Sequence, residues 1–141
     1  MTNESNIFDI IVMGGGPGGY ATALYGAAAG LNIALVEEDR VGGTCLLRGC
    51  IPAKALLQTA EVAHTIKDAE KFGVEASGGT IDFKKLQVRK NTVVNQLVGG
   101  LEGLLKRRKV TTFNSRAMLH NAQRKEVSLS DGTLITATKA I

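Results

Sequence analysis

Apolar and glycine-rich segments alternate at the start of the chain. Residues 7–13 are apolar and rich in β-branched side chains, which predicts a buried strand. A glycine-rich turn follows at residues 14–19, and the alanine-rich stretch from Tyr20 to Ala29 predicts a helix. Residues 32–37 form a second apolar run. Strand, helix and strand together have the length of a βαβ crossover, so the expected fold class is α/β with a parallel sheet.

The remaining pattern predicts helices followed by short strands. Residues 44–71 have a helical pattern with a break at residues 49–52, and Asp82 is placed to cap a helix over residues 83–108. Short strands are predicted at residues 110–113, 117–119, 126–129 and 133–136, with a hairpin turn at Asp131 and Gly132. The segment Lys139-Ala140-Ile141 resembles the opening of another strand.

The composition is that of a soluble globular protein with one domain at most. Of the 141 residues, 44% are apolar and 21% are charged, which excludes most disordered classes. No apolar run reaches the ~20 residues that a membrane span needs, so we expect a cytoplasmic protein with no membrane partner. The net charge is +4, and the dense cations at residues 106–109 suit a helix C-terminus. Aromatic residues make up 4%, which disfavours nucleic-acid binding.

The glycine-rich turn has the G-x-G-x-x-G spacing of a dinucleotide site. Gly14 permits a tight turn, Gly16 lets the backbone approach a pyrophosphate, and Gly19 lets helix and strand pack closely. Glu37 follows 23 residues after Gly14, at the end of the second apolar run, where an acid accepts from a ribose hydroxyl. A solvated or loop-capping position explains the neighbouring Glu38 better than ribose binding. This pattern alone does not distinguish FAD from NAD.

Two cysteines, Cys45 and Cys50, are five positions apart. They can bridge if the helix between them is irregular, and Gly49 and Pro52 permit that irregularity. A bridge this short in a reducing compartment serves catalysis better than stabilisation. Lys54, one helical turn after Cys50, could stabilise a thiolate or a reduced cofactor. No metal site is expected, because two cysteines leave two zinc ligands unfilled.

The segment from residue 42 to residue 54, GGTCLLRGCIPAK, resembles the redox-active disulfide signature of the pyridine nucleotide–disulfide oxidoreductases. Its Gly-Cys-Ile-Pro form, with Lys-Ala-Leu-Leu at residues 54–57, is most similar to the dihydrolipoyl dehydrogenase branch. The resemblance implies a Rossmann-like FAD-binding domain, with a three-layer parallel sheet and a small antiparallel β meander. It also implies electron flow from dihydrolipoyl groups through a Cys45–Cys50 disulfide to FAD and then to NAD⁺.

The resemblance also implies a role for each matching residue. Cys45 would exchange with the dithiol substrate, and Cys50 would be the thiol next to the flavin. The cofactor-binding residues would be Gly14, Gly16, Pro17, Gly18 and Gly19 at the pyrophosphate, Glu37 at the adenosine ribose with Glu38 beside it, Gly43, Thr44 and Lys54 on the flavin side, and Ala117 at the adenine. The backbone around Ser115 to Ala117 would meet the adenine, and Ser115 stands where many members of the family have glycine.

The chain is expected to be an incomplete member of this family. Residues 1–141 would form the N-terminal part of the FAD-binding domain, and the NAD-binding and dimer-interface domains would be absent. We therefore expect no full turnover, and we expect an unpaired edge beside Ile10, Ile11 and Val12 that favours aggregation. Neither His64 nor His120 is expected to be the acid–base residue of the family.

Several alternatives and partners follow from the same resemblance. The alternative functions are a mercuric, glutathione-type or mycothiol-type disulfide reductase, a flavin-binding fragment without turnover, and a cofactor-free thiol-exchange or interaction protein. The partners expected of a dihydrolipoyl dehydrogenase are lipoyl domains of 2-oxo acid dehydrogenase complexes or of the glycine cleavage system, and a second copy in a homodimer.

Overall fold

Six strands form one mixed sheet in residues 6–77 and 80–141, the part of the chain that the computed structural model describes. The strands are β1 (Ile7–Met13), β2 (Ile33–Glu37), β3 (Thr111–Asn114), β4 (Ala117–Asn121), β5 (Glu126–Leu129) and β6 (Leu134–Ala140). Their order is β3-β2-β1-β6-β5-β4, parallel from β3 to β6 and antiparallel from β6 to β4. This architecture confirms the Rossmann-like α/β fold with an antiparallel meander.

The chain divides into two units, and the whole sheet belongs to the first. That unit comprises the residues up to 43 together with residues 98–141, and the second comprises residues 44–97. In β2, Ile33 and Leu35 lie on one face while Ala34 and Val36 lie on the other, and all four are buried. A parallel strand covered on both faces reads as a continuous apolar run, which is why the sequence pattern identified it.

Each face of the parallel strands carries its own apolar core. On one face, helix α1 (Pro17–Ala28) and the C-terminal end of helix α4 (Phe83–Arg107) contribute to a cluster of Ala23, Ile33, Leu35, Val41, Leu105 and Val110. On the other face, inward side chains of the meander join those of β1 and β2 in a cluster of Phe8, Ile11, Ala34, Val36, Val127, Leu129, Ile135 and Ala137. The antiparallel strands thus cover the face that α1 leaves open.

The expected unpaired edge of β1 is wrong, because β6 lies along it. Residues 134–140 form one strand rather than a strand at 133–136 followed by the start of another. Its first half pairs with β5, and its second half pairs in parallel with β1 through Ile7↔Thr136, Phe8↔Ala137 and Ile10↔Ala140. The sheet edges are therefore β3 and β4.

The second unit is helical. Helix α2 (Gly43–Leu47) leads into it, and helix α3 (Cys50–Asp68) and a short 3₁₀ helix (Ala69–Phe72) follow, so the expected break near residue 49 is confirmed. Asp82 caps α4, since its Oδ1 accepts the backbone N–H of Lys85 at 3.0 Å. Among the described residues, no helix is long and apolar enough to cross a membrane.

Candidate functional site

The glycine-rich turn in the first unit has a geometry that only glycine satisfies at two positions. Gly14 has φ +100°, a left-handed conformation that L side chains rarely adopt. A Cβ atom on Gly19 would lie 1.8 Å from the carbonyl oxygen of Gly14, so any side chain there would collide with the turn. The tight turn and the close helix–strand approach expected from the fingerprint are both present.

Helix α1 begins earlier than expected and offers free backbone donors. It starts at Pro17 rather than at Tyr20, because proline has its preferred φ at the first helical position and needs no N–H partner there. Gly16 provides no side-chain cap, and the first turn contains no acidic residue. The N–H groups of this turn and the positive end of the helix dipole can therefore receive an anion such as a pyrophosphate.

A close contact between Gly43 and Gly16 leaves the N-terminus of α1 free of side chains on this side. Gly43 has φ +59°, and a Cβ atom on it would lie 2.7 Å from the Cα atom of Gly16. The backbone N–H of Gly42 also donates to the carbonyl oxygen of Gly15 at 2.7 Å. The segment after β2 is thus held against the glycine-rich turn with no side chain between them.

The carboxylate of Glu37 is fixed by backbone donors at the end of β2. Its Oε2 accepts the N–H of Gly15 at 2.7 Å, and its Oε1 accepts the N–H of Asp39 at 2.9 Å. A carboxylate has about four acceptor positions, so both oxygens retain capacity for a ribose hydroxyl. The backbone therefore orients this acid before any ligand arrives.

A cavity of about 320 Å³ lies beside this acid. Its lining includes Gly14, expected at the pyrophosphate, all the residues expected at the adenosine, and two residues, Met13 and Val36, that the sequence did not single out. The lining residues are Met13, Gly14, Val36, Glu37, Glu38, Ser115, Arg116 and Ala117. Parallel strands that end at the same edge of a sheet place these residues together, which matches the crevice where α/β folds bind nucleotides. Glu38 also lines this cavity, although the sequence favoured a solvated or loop-capping position for it over ribose binding.

In the second unit, a break between two helices brings the cysteines together. Cys45 lies in α2 and Cys50 begins α3, and Gly49 between them cannot carry a Cβ atom because that atom would lie 2.9 Å from the carbonyl oxygen of Thr44. Pro52 is buried in the first turn of α3, a position that proline suits. Both cysteines are free thiols, with Cys45 half-buried and Cys50 exposed.

The two thiols interact directly. A hydrogen bond with the Cys50 thiol, and then desolvation, raise the pKa of Cys45 above its usual value of 9.0. The backbone N–H of Cys50 and the charge of Lys54 act in the opposite direction on this pKa, but they are weaker. Cys45 is therefore protonated at neutral pH. Lys54, exposed on the first turns of α3, is near enough to act on the cysteine pair.

The two groups of expected residues occupy different units. The glycine-rich turn, Glu37, Glu38, Gly43 and Ala117 belong to the first unit, whereas Thr44, Cys45, Cys50 and Lys54 belong to the second. His64 and His120 are exposed on α3 and β4. In the described part of the chain, no group of three or more acidic, histidine or cysteine side chains is placed to hold a metal ion.

Comparison with known proteins gives a consistent result. The sequence pattern of a family described as Pyridine nucleotide-disulphide oxidoreductase matches residues 8–141. A dihydrolipoyl dehydrogenase of Chlamydia pneumoniae is 45% identical over 141 residues, which cover the whole chain and 30% of the relative. One from Bacillus subtilis is 46% identical over 106 residues, covering 75% of the chain and 22% of the relative.

A third relative shows the same partial coverage. A dihydrolipoyl dehydrogenase of Acholeplasma laidlawii is 42% identical over 138 residues, covering 95% of the chain and 41% of the relative. The chain therefore spans less than half the length of each of these three relatives.

Proposed function

The chain belongs to the pyridine nucleotide-disulphide oxidoreductase family, and from that premise we propose that it is the FAD-binding, dithiol-bearing part of a dihydrolipoyl dehydrogenase. The reaction is oxidation of dihydrolipoyl groups to lipoyl groups, with NAD⁺ as the final acceptor. The observation that carries this proposal is the placement of Cys45 in α2 and of Cys50 at the first residue of α3, on either side of the helix break at Gly49.

The backbone around the glycine-rich turn fits FAD. The uncapped first turn of α1 and the approach of Gly43 to Gly16 leave a cradle that a single added Cβ atom would obstruct. Gly14, Gly16, Pro17, Gly18 and Gly19 would hold the pyrophosphate. Glu37 and Glu38, with the backbone near Ala117, would hold the adenosine in the adjoining cavity. Gly43, Thr44 and Lys54 would contact the flavin portion. When bound, the flavin supplies two-electron transfer between the dithiol and NAD⁺.

The cysteine pair exchanges with the substrate in two steps. A substrate thiolate attacks the Cys45 sulfur of the oxidised pair, the Cys45–Cys50 bond breaks, and Cys50 leaves as a thiolate. The second substrate thiolate then attacks the substrate sulfur of the mixed disulfide, the lipoyl disulfide forms, and Cys45 leaves. The substrate loses two electrons, the cysteine pair gains them, and Cys45 takes up one proton while the other proton of the substrate passes to solvent.

The electrostatics of the pair support this assignment of roles. The raised pKa of Cys45 favours protonation of this sulfur once it has left the mixed disulfide. A proton on Cys45 suits a leaving thiol that must not attack the product disulfide again, because only the thiolate is nucleophilic. Lys54 adds a positive charge that favours the ionised form of a nearby sulfur.

The choice of this branch over the mercuric, glutathione-type and mycothiol-type reductases is supported by the names of the relatives. The corresponding partners are lipoyl domains of 2-oxo acid dehydrogenase complexes or of the glycine cleavage system, and a second copy of the protein in a homodimer.

A visible absorption experiment tests the proposal. The purified chain is mixed with FAD, passed through gel filtration, and its spectrum is recorded before and after dihydrolipoamide is added. We expect the flavin to elute with the protein and dihydrolipoamide to change its spectrum. The variants C45S and C50S should retain the flavin and lose the response to the dithiol. A colourless protein peak, or a response that both variants retain, would contradict the proposal.

A further inference from the structure

Ser115 connects two parts of the first unit that are distant in sequence. It lies between β3 and β4, and its backbone N–H donates to the carbonyl oxygen of Glu37 at 2.9 Å. Its hydroxyl oxygen accepts the backbone N–H of Ser130 at 3.0 Å and lies 2.7 Å from the hydroxyl oxygen of Ser130. The backbone and the side chain of this one residue therefore join the end of β2 to the turn between β5 and β6.

The turn that contains Ser130 is itself well fixed. Gly132 has φ +86°, and its N–H donates to the carbonyl oxygen of Leu129 at 3.0 Å. Asp131 accepts the N–H of Thr133 at 2.9 Å, and this bond lowers the pKa of the Asp131 carboxyl. Because the turn carries its own hydrogen bonds, Ser130 is a fixed point against which Ser115 can be held.

The hydroxyl of Ser115 uses all of its bonding capacity. A serine hydroxyl has one donor and two acceptor positions. The N–H of Ser130 fills one acceptor position, and the Ser115 hydroxyl donates to the carbonyl oxygen of Arg116 at 3.3 Å, which leaves the second acceptor position for the Ser130 hydroxyl. Ser115, Arg116 and Ala117 all line the cavity beside Glu37. The backbone of that wall is thus set by the contact between the two serines.

We infer that Ser115 and Ser130 are a positioning pair for the adenosine half of FAD. The pair holds the backbone of residues 115–117 at a set distance from Glu37, so that the adenine and the ribose are received together. This inference rests on the proposed function. It adds that recognition of the adenosine depends on the β5–β6 hairpin, whose residues do not line the cavity.

The test compares a ligand that contains adenosine with one that lacks it. FAD and FMN are titrated against the chain and the variant S115A, with quenching of flavin fluorescence as the readout. We expect S115A to lose FAD affinity by about 5- to 10-fold, the factor that one or two lost hydrogen bonds imply, with FMN affinity unchanged. The double variant S115A/S130A should lose no more than S115A, because both changes break the same contact.

Two controls separate positioning from general loosening. S128A removes a hydroxyl from the same hairpin, one that donates to the carbonyl oxygen of Met118 at 3.4 Å, and it should leave FAD affinity unchanged. S115T keeps a hydroxyl and should restore most of the affinity. Equal losses for FAD and FMN, or an unchanged FAD affinity in S115A, would overturn the inference while leaving the proposed function intact. Failure of the unmodified chain to bind FAD would overturn both.

Discussion

Gly18 and Gly19 are neighbours in sequence and have very different surroundings. A Cβ atom on Gly18 would meet no atom within 4 Å, whereas one on Gly19 would lie 1.8 Å from the carbonyl oxygen of Gly14. We expect G19A to lower the free energy of unfolding by about 3 kcal/mol or more, because the turn must move. G18A should leave it unchanged or raise it by up to about 1 kcal/mol, because alanine favours the helix.

Urea denaturation of both variants gives the comparison. Equal stabilities for G18A and G19A would show that the turn adapts to a side chain and that the close approach of helix and strand is not required.

The reactivity of Cys45 is also set by its immediate neighbours. Because the Cys50 thiol raises the pKa of Cys45, replacing Cys50 with alanine should lower that pKa and speed alkylation of Cys45 by iodoacetamide at pH 8. K54M should act in the opposite direction, because it removes a charge that lowers this pKa. The pH–rate profile of alkylation, followed by mass spectrometry, measures both shifts. A shared profile for the original chain and C50A would contradict the thiol–thiol contact.

Individual site residues could be predicted where the spacing along the chain fixes their position, and could not be predicted where a contact depends on distant segments. Gly14, Gly19 and Glu37 were predictable because the spacing of a βαβ unit determines where each must lie. The hydrogen bond between Ser115 and Ser130 was not, since it depends on a hairpin 15 residues away that folds back onto the end of β3. The raised pKa of Cys45 likewise follows from how the helix break orients the two thiols.

Among the elements, Asp9 joins three strands. Its Oδ2 accepts the N–H of Asn32 just before β2 at 2.8 Å, while its Oδ1 contacts Lys139 and Thr138 of β6. Lys139 first, and then Asn32, lower the pKa of the Asp9 carboxyl below its usual 3.8. We expect D9N to destabilise the protein at pH 7, because the amide carries no charge to pair with Lys139.

The pH dependence of this effect has a defined sign. A lowered pKa means that the unfolded state binds the proton more tightly, so the stabilisation from Asp9 is present above pH 3.8 and declines as the pH falls through the folded-state pKa. The stability difference between the original chain and D9N should therefore shrink below pH 3.8. K139M should show a reduced version of the same pH dependence, because the bond to Asn32 remains. Urea midpoints from pH 7 to pH 3 measure this, and a constant difference would contradict it.

The local patterns predicted most elements and the pairings of β1 with β2 and of β5 with β6, but not the pairing of β6 with β1. The apolar runs of β1 and β2 and the cap at Asp82 are local signals and were located correctly. The strand at residues 134–140 was divided in two, because its outward Thr138 and Lys139 interrupt the apolar pattern. Asp9 of the neighbouring strand β1 binds both polar residues, a contact between positions 129 and 130 residues apart in sequence.

For the molecule as a whole, closure of the sheet depends on β6. Removing residues 134–141 would take Ile135 and Ala137 out of the core, burial worth about 3 kcal/mol, and would expose the edge of β1. We expect this shortened chain to aggregate in gel filtration with light scattering. A chain lacking only Ile141, which is exposed, should behave like the original. A monodisperse shortened chain with a cooperative melt would contradict the role of β6.

The pairing of β1 with β6 has a consequence for synthesis. Asp9 and Lys139 are 130 residues apart, so β1 leaves the ribosome well before β6, the strand that pairs with its second edge. At typical rates of translation this interval is on the order of ten seconds. During that time one edge of the apolar strand β1 remains unpaired in the nascent chain. We expect chaperones that bind extended apolar segments to bind it there.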